Sequence, residues 1–286
     1  GSRLEGRGRV IVAVSLAAVF VLLISLRGIA SFYTDFLWFD SLGLSSVWDT
    51  MLRSKLSLTL IGAAIFMVLC WGNLTIADRI APAFRPSNGD DDLIERYHDL
   101  VGEKAGLVRL VIALFLSVVV GVSLGSSWNE WILFTNRVDF GQKDATFDTD
   151  IGFYVFQLPF LTTLAAWTFS ALILVLIVTL MAHIVNGGIR FNTQMNRVTP
   201  QVKAHVSVLL GALALVQGGR YWLDRYQLTF STRGTVDGAT YTDVNVQLRV
   251  TYLLILISVF AFGLFIANIW RRGWVLPVMA VSLWVL

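Results

Sequence analysis

Seven apolar runs separated by polar loops divide the chain. Each of the first six is long enough for a helix that crosses the hydrocarbon core of a bilayer, which takes about 20 residues. The predicted helices cover residues 10–30, 54–77, 107–126, 158–183, 204–222, 248–270 and 274–286. We therefore predict an all-α fold over residues 1–286, a polytopic membrane helix bundle with about seven transmembrane helices. We expect the seventh helix to be truncated, because it is still apolar at Leu286.

The composition supports a membrane protein. Hydrophobic residues make up 56% of the chain and charged residues only 14%, whereas soluble domains contain about a quarter charged residues. The net charge of +3 fits an excess of Lys and Arg in cytoplasmic loops. No compact basic patch with interleaved aromatic residues is present, so a nucleic-acid partner is not expected.

The distribution of charge predicts the orientation. Arg3, Arg7 and Arg9 precede the first helix, and basic residues next to a first helix favour a cytoplasmic N-terminus. An odd number of helices then places the C-terminus outside the cell. Tryptophan and tyrosine residues at the predicted outer helix ends agree with an interfacial belt. These residues are Trp38, Trp48, Trp128, Trp131, Tyr221 and Trp222.

Four loop segments carry structural patterns of their own. Residues 93–98 follow three aspartates in a cytoplasmic loop and predict a short capped interfacial helix, which is favoured over a metal-binding cluster. Aromatic residues within 31–49 predict an outer segment that lies in the membrane interface. Residues 153–158 predict a short extended piece that ends where Pro159 starts the next helix. The alternation in residues 224–247 predicts a hairpin.

Three histidine and aspartate groups could carry chemistry. His183 and His205 flank one cytoplasmic loop and could relay a proton or hold a metal, although both lie near helix ends where water reaches them. His98 lies in a polar loop, so we do not expect the three histidines to share one site. The composition around Asp139, Asp144, Asp148 and Asp150 is typical of a calcium loop. The ordered ligand spacing of such a loop is absent, so a solvated loop is the expected alternative.

The remaining polar groups favour packing. Asn73, Gln157 and Gln217 are amides in or beside apolar runs, where hydrogen bonds between helices are favoured over a substrate path. Gly121 and Gly125 form a small-xxx-small pattern that permits close helix contact, and Cys70 is expected to be a packed small side chain. We assign no catalytic, cofactor-binding or metal-binding residue, and we expect no cofactor.

Two aromatic and acidic motifs resemble a known family. They are Phe32-Tyr33-Thr34-Asp35-Phe36-Leu37-Trp38-Phe39 and Asp150-Ile151-Gly152-Phe153-Tyr154-Val155-Phe156, the second followed by Leu158-Pro159-Phe160. With the apolar runs, they resemble the bacterial multi-pass "uncharacterised protein family 0182" over essentially the whole chain. The resemblance implies a seven-helix N-terminal membrane region and a large extracytoplasmic C-terminal domain beyond residue 286. It implies no activity and no site residues.

The leading functional hypothesis is a non-enzymatic anchor or scaffold in the bacterial plasma membrane, which presents a large external domain for cell-envelope processes. The alternative is a transporter, a channel or a lipid-translocating component of the envelope. The central thirds of the six complete spans carry no Asp, Glu, Lys or Arg, which disfavours coupled ion transport but not lipid movement. A membrane-embedded enzyme lacks any supporting motif. Expected partners are membrane lipids and either a second copy or an envelope protein.

Overall fold

The computed structural model describes residues 2–81, 105–189, 198–232 and 238–285. In this part of the chain the regular structure is helical, and no strand forms beyond two isolated bridges. The helices are α1 Ser2–Ser41, α2 Ser45–Arg79, α3 Ala105–Gly125, α4 Trp128–Thr135, α5 Leu158–Val185, α6 Pro200–Gln227, α7 Leu248–Arg271 and α8 Val275–Val285. The predicted all-α fold is confirmed.

Five helical segments within the described residues are long and apolar enough to cross a membrane. They are Ser45–Arg79, Ala105–Gly125, Phe153–Val185, Pro200–Phe230 and Asp243–Arg271. A shorter apolar helix covers Val275–Trp284. A count of seven crossings and the orientation of the two termini remain predictions.

The chain divides into two compact units, Gly1–Arg53 and Ser54–Leu286. In the first unit α1 continues through the aromatic segment that was predicted to be a separate interfacial piece. The sequence offers no Pro or Gly between Ala30 and Ser41, so nothing interrupts the helix. Phe32 and Phe39 then face Trp48, with ring centroids 5.1 and 5.6 Å apart.

In the second unit α2 and α3 pack closely because of two glycines. A Cβ atom at Gly121 would lie 2.5 Å from the carbonyl oxygen of Thr59 and 2.8 Å from the Cβ of Ala63. A Cβ at Gly125 would overlap the hydroxyl of Thr59. The small-xxx-small pattern therefore marks a real helix contact. Cys70, 1% exposed, belongs to the core formed with α3, α5 and α6.

Two loop predictions are wrong where the structure describes them. The segment predicted to be extended is a π-helical turn, Phe153–Gln157, that leads into α5. In place of a hairpin, α6 continues to Gln227 and a 3₁₀ turn follows at Leu228–Phe230. A second π-helical turn, Asp243–Gln247, then leads into α7.

Side-chain caps explain why helices replace the predicted strands. Asp150 accepts a hydrogen bond from the amide of Gly152, at 2.7 Å, as an N-cap does. Thr240 and Asp243 form a reciprocal capping box: each side chain accepts from the backbone amide of the other. The turn predicted at 233–237 and the capped helix predicted at 93–98 lie outside the described residues.

Candidate functional site

His183 and His205 meet in the interior at one end of the second unit, which we call the His183 end. His183 lies in the last turn of α5 and His205 in the second turn of α6, whose N-terminus is capped by the hydroxyl of Thr199. The side chains are 1% and 8% exposed. Their ring centroids lie 5.2 Å apart and their planes are perpendicular. The two candidate histidines are therefore brought together.

A chain of hydrogen bonds fixes the proton positions in the neutral histidine pair. Asn73 donates from Nδ2 to the carbonyl of Leu69, at 2.7 Å, so its Oδ1 faces His205 as an acceptor. His205 Nε2, 2.9 Å away, must then carry the hydrogen. His205 Nδ1 consequently accepts from His183 Nε2, at 3.1 Å.

This arrangement leaves His183 Nδ1 as a bare acceptor. The atom is buried and has no hydrogen-bond partner within the described part of the chain. Gly188 passes close to it, since a Cβ there would lie 3.7 Å from Nδ1 and 2.8 Å from a methyl carbon of Val202. An unpaired buried imidazole nitrogen can accept a proton or a hydrogen bond from a small donor.

A second polar group joins three helices at the same end. Asn186, directly after α5, donates to the carboxylate of Asp78 at 2.9 Å and to the carbonyl of Ala77 at 3.4 Å. Asp78 also forms an ion pair with Arg109 at the start of α3. The Asp78 side chain is only partly buried, and its two partners fix the orientation of its carboxylate. No local sequence pattern marks Asn186 as a site residue, because its partner lies 108 residues away.

A third polar contact ties α6 to α7. Asn268, which is fully buried, donates to the hydroxyl of Ser207 at 2.8 Å and accepts from the amide of Gly273 at 3.1 Å. Among the predicted amides, Asn73 thus joins the histidine pair and Gln217 accepts from Arg220 at 3.0 Å. Gln157 lies in the π-helical turn before α5.

Three of the four aspartates of the predicted calcium loop have partners within the protein. The carboxylate of Asp144 accepts from the amides of Thr146, Phe147 and Thr149, and from the hydroxyl of Tyr154. Asp150 accepts from the amides of Phe140, Gly141 and Gly152. Asp148 forms an ion pair with Lys143, at 2.9 Å. Within the described residues, no three His, Cys, Asp or Glu side chains form a group suited to a metal ion.

These hydrogen bonds change the acidity of both aspartates. Burial alone would raise the pKa of Asp144, but the hydrogen bonds from Tyr154 and three amides outweigh it and lower the pKa below its ordinary value of 3.8. The amide of Phe140 is the largest influence that lowers the pKa of Asp150, and burial opposes it. Both carboxylates are therefore held in the charged form. We call residues 136–152 the aspartate loop.

An aromatic cluster fixes the aspartate loop to the end of α6. The ring of Tyr226 lies 5.0 Å from Phe147 and from Phe153, and 5.9 Å from Tyr154. Arg225 stacks on Trp222 at 3.5 Å and donates to the hydroxyl of Tyr226 at 2.7 Å. The loop is therefore a fixed part of the surface at the end of the unit opposite the histidine pair.

Comparison with known proteins identifies the family. The model of a family described as Uncharacterised protein family (UPF0182) matches residues 12–286. The chain belongs to this family. A UPF0182 protein of Frankia casuarinae is 37% identical over 97% of this chain and 26% of its own length. A UPF0182 protein of Thermobifida fusca is 34% identical over 100% of this chain and 28% of its own.

The UPF0182 relatives are much longer than this chain. A UPF0182 protein of a Nocardioides species is 35% identical over 99% of this chain and 28% of its own length. The chain thus spans between a quarter and a third of the curated relatives that it matches. No solved structure matches the chain. The resemblance noted from the aromatic and acidic motifs is confirmed, and the names of these relatives state no activity.

Proposed function

We propose that this chain is the membrane anchor of a longer protein and that its aspartate loop is a docking platform for the rest of that protein. The proposed location is the bacterial plasma membrane, with a cytoplasmic N-terminus, seven crossings and the aspartate loop outside the cell. Two observations support an anchor: the helices of membrane length, and the relatives, which are more than three times as long.

The observation that carries the proposal is the fixed structure of the aspartate loop. The carboxylates of Asp144 and Asp150 accept four and three hydrogen bonds, respectively, and these bonds order the segment. A segment that only connected two helices would not need a fixed structure. Ordering a backbone costs about 1–2 kcal/mol per residue. A surface that is already ordered binds its partner at a lower entropic cost. Val138 and Phe140 are 55% and 50% exposed on this loop and offer apolar contacts.

The experiment is to produce this chain and the rest of the longer natural protein as two separate polypeptides and to measure their association. We expect them to co-purify from membranes. Asp144→Asn combined with Tyr154→Phe should weaken the association about tenfold, because the loop loses the carboxylate that accepts four of its hydrogen bonds. Asp148→Asn is the matched control, since it removes only an exposed ion pair with little expected energy. Failure to associate, or equal loss with the control, would refute the proposal.

Transport is the second candidate function, and the buried histidine pair favours it. A bare nitrogen at His183 next to a chain of hydrogen bonds can accept and pass a proton. Proton flux into vesicles that contain the chain should then be lost in His183→Leu and kept in Thr75→Val. Wild-type vesicles without flux would exclude proton transport. A second copy or an envelope protein remains the proposed partner of the anchor, and gel filtration with light scattering would detect the former.

A further inference from the structure

A groove runs between α3 and α5 on the second unit. Its volume is about 540 Å³, within the range of small-molecule sites. Several of the lining side chains are small and leave this space unfilled, among them Ser123, Ser127, Ala166 and Ser170. Trp167 forms the floor, since its indole Nε1 donates to the carbonyl of Val120 at 3.0 Å. The groove is therefore defined by specific contacts.

The dimensions of the groove match one leaflet of a bilayer. Its lining extends along α5 from Thr163 to Leu174, which is about 16 Å at 1.5 Å per residue. Half of a hydrocarbon core of about 30 Å is nearly the same length. Trp128 begins the next helix directly beyond the mouth of the groove at Ser127. Tryptophan at a helix end is typical of the membrane interface, so the mouth lies at that level.

Three hydroxyl groups that line the groove lack intramolecular hydrogen bonds. Within the described part of the chain, Ser123, Ser127 and Thr163 show none from their side chains. Nearby hydroxyls behave differently, because Thr168 and Ser170 each donate to a carbonyl of their own helix. In apolar surroundings a hydroxyl without a partner loses free energy. The three hydroxyls are therefore available to a ligand with acceptor oxygens.

A cation lies close to the mouth. The ammonium group of Lys55 is 5.4 Å from the centre of the Trp128 ring, and the carbonyl of Lys55 packs against Gly125. None of the ion pairs within the described residues includes Lys55. A positive charge of this kind attracts a phosphate group. The groove thus combines an apolar length, free donors and a positive charge at one end.

We propose that this groove binds one phospholipid molecule. One acyl chain lies along the apolar part between Val119 and Leu174, and the ester oxygens accept hydrogen bonds from the free hydroxyls. The phosphate lies beside Lys55. The site does not depend on the anchor function and would operate equally in a protein that moves lipids.

The test is native mass spectrometry of the full chain in detergent with added dioleoyl phosphatidylglycerol. The wild type should retain one lipid. Ala166→Phe fills the groove, and the triple change Ser123→Ala, Ser127→Ala, Thr163→Val removes the donors. Each variant should weaken retention about tenfold or more. Dioleoylglycerol, which lacks the phosphate, should bind more weakly to the wild type, and Lys55→Gln should abolish that difference.

Two control variants separate a specific site from general lipid contact. Val122→Phe introduces a phenyl ring, as Ala166→Phe does, but on an exposed side of α3 that does not line the groove. Thr75→Val removes a hydroxyl that donates to a carbonyl of its own helix. Both should retain the lipid as the wild type does. The proposal is overturned if the controls lose the lipid equally, if the triple variant retains it fully, or if several lipids bind with equal affinity. The triple variant decides the matter should Ala166→Phe fail to fold.

Discussion

His183 Nδ1 lies at the end of a series of buried hydrogen bonds and has no partner within the described residues. In the chain from Asn73 through His205 to His183, every other ring nitrogen and amide group has a partner. Removing a residue from the middle of such a chain leaves two groups unpaired, whereas removing the end residue leaves one. Each buried group without a partner costs about 1–3 kcal/mol.

His205→Leu should therefore destabilise the protein more than His183→Leu. The first change leaves Asn73 Oδ1 and His183 Nε2 without partners. The second leaves only His205 Nδ1 unpaired and also removes the bare nitrogen. We expect the difference in the free energy of unfolding to be about 1–3 kcal/mol. Thermal unfolding in detergent measures it, with Thr75→Val as the control; an equal or reversed order would contradict the assigned proton positions.

Asp144 predicts a dependence of the loop structure on pH. Its pKa is lowered in the folded protein, so the charged form stabilises the loop above the ordinary value of 3.8. The stabilisation is lost as the pH falls below 3.8 towards the lowered value. The amides of Thr146 and Phe147 should lose protection from hydrogen exchange in that range, after correction for intrinsic rates.

Two variants check the assignment to Asp144. In Asp144→Asn the protection should be weaker at neutral pH and should no longer change in the acidic range. Asp139→Asn should behave as the wild type, because Asp139 accepts none of these amides. If the two variants gave the same acid profile, another group would control the loop.

At the scale of helices, the close contact between α2 and α3 depends on glycines, which have no side chain. The atoms nearest to an added Cβ at Gly121 belong to the backbone and Cβ of α2, which cannot rotate away. Gly219 on α6 is also helical but has open space at the same position. The two glycines therefore form a matched pair for one substitution.

Gly121→Ala should destabilise the protein by about 1–3 kcal/mol, because the helices must separate. Gly219→Ala should be neutral or stabilise by about 0.5–1 kcal/mol, since Ala restricts the unfolded chain without a clash. Chemical unfolding in mixed micelles would give both values. Equal effects would mean that the contact between α2 and α3 adds nothing to stability.

The long helices could be predicted from the sequence, and the details at their ends could not. Apolar runs of membrane length have few alternative structures. In Phe153–Gln157 and Asp243–Gln247 the residues Val, Tyr and Phe favour strands, yet local caps decide the outcome. The capping box of Thr240 and Asp243 was visible in the sequence and would have predicted the start of a helix. His205 and Asn73 lie 132 residues apart, and no local pattern joins them.

At the scale of the whole molecule, the orientation is testable because the single cysteine, Cys70, is buried. Asp35→Cys and Thr146→Cys should react with an impermeant maleimide added to intact cells. Ser87→Cys should react only after the membrane is opened. These outcomes follow from the basic residues before the first helix. The opposite labelling pattern would invert the proposed topology and place the aspartate loop in the cytoplasm.

The two π-helical turns begin ninety residues apart in the chain, and each ends with Gln followed by the Leu that starts an α-helix. A π-helical turn contains one residue more than an α-helical turn. Deleting that residue would rotate the preceding cap by about 100° relative to the helix. The length of the chain between each cap and its helix is therefore constrained. In natural variants we expect insertions and deletions to fall before Asp150 and before Thr240, where they leave the angular register of α5 and α7 intact.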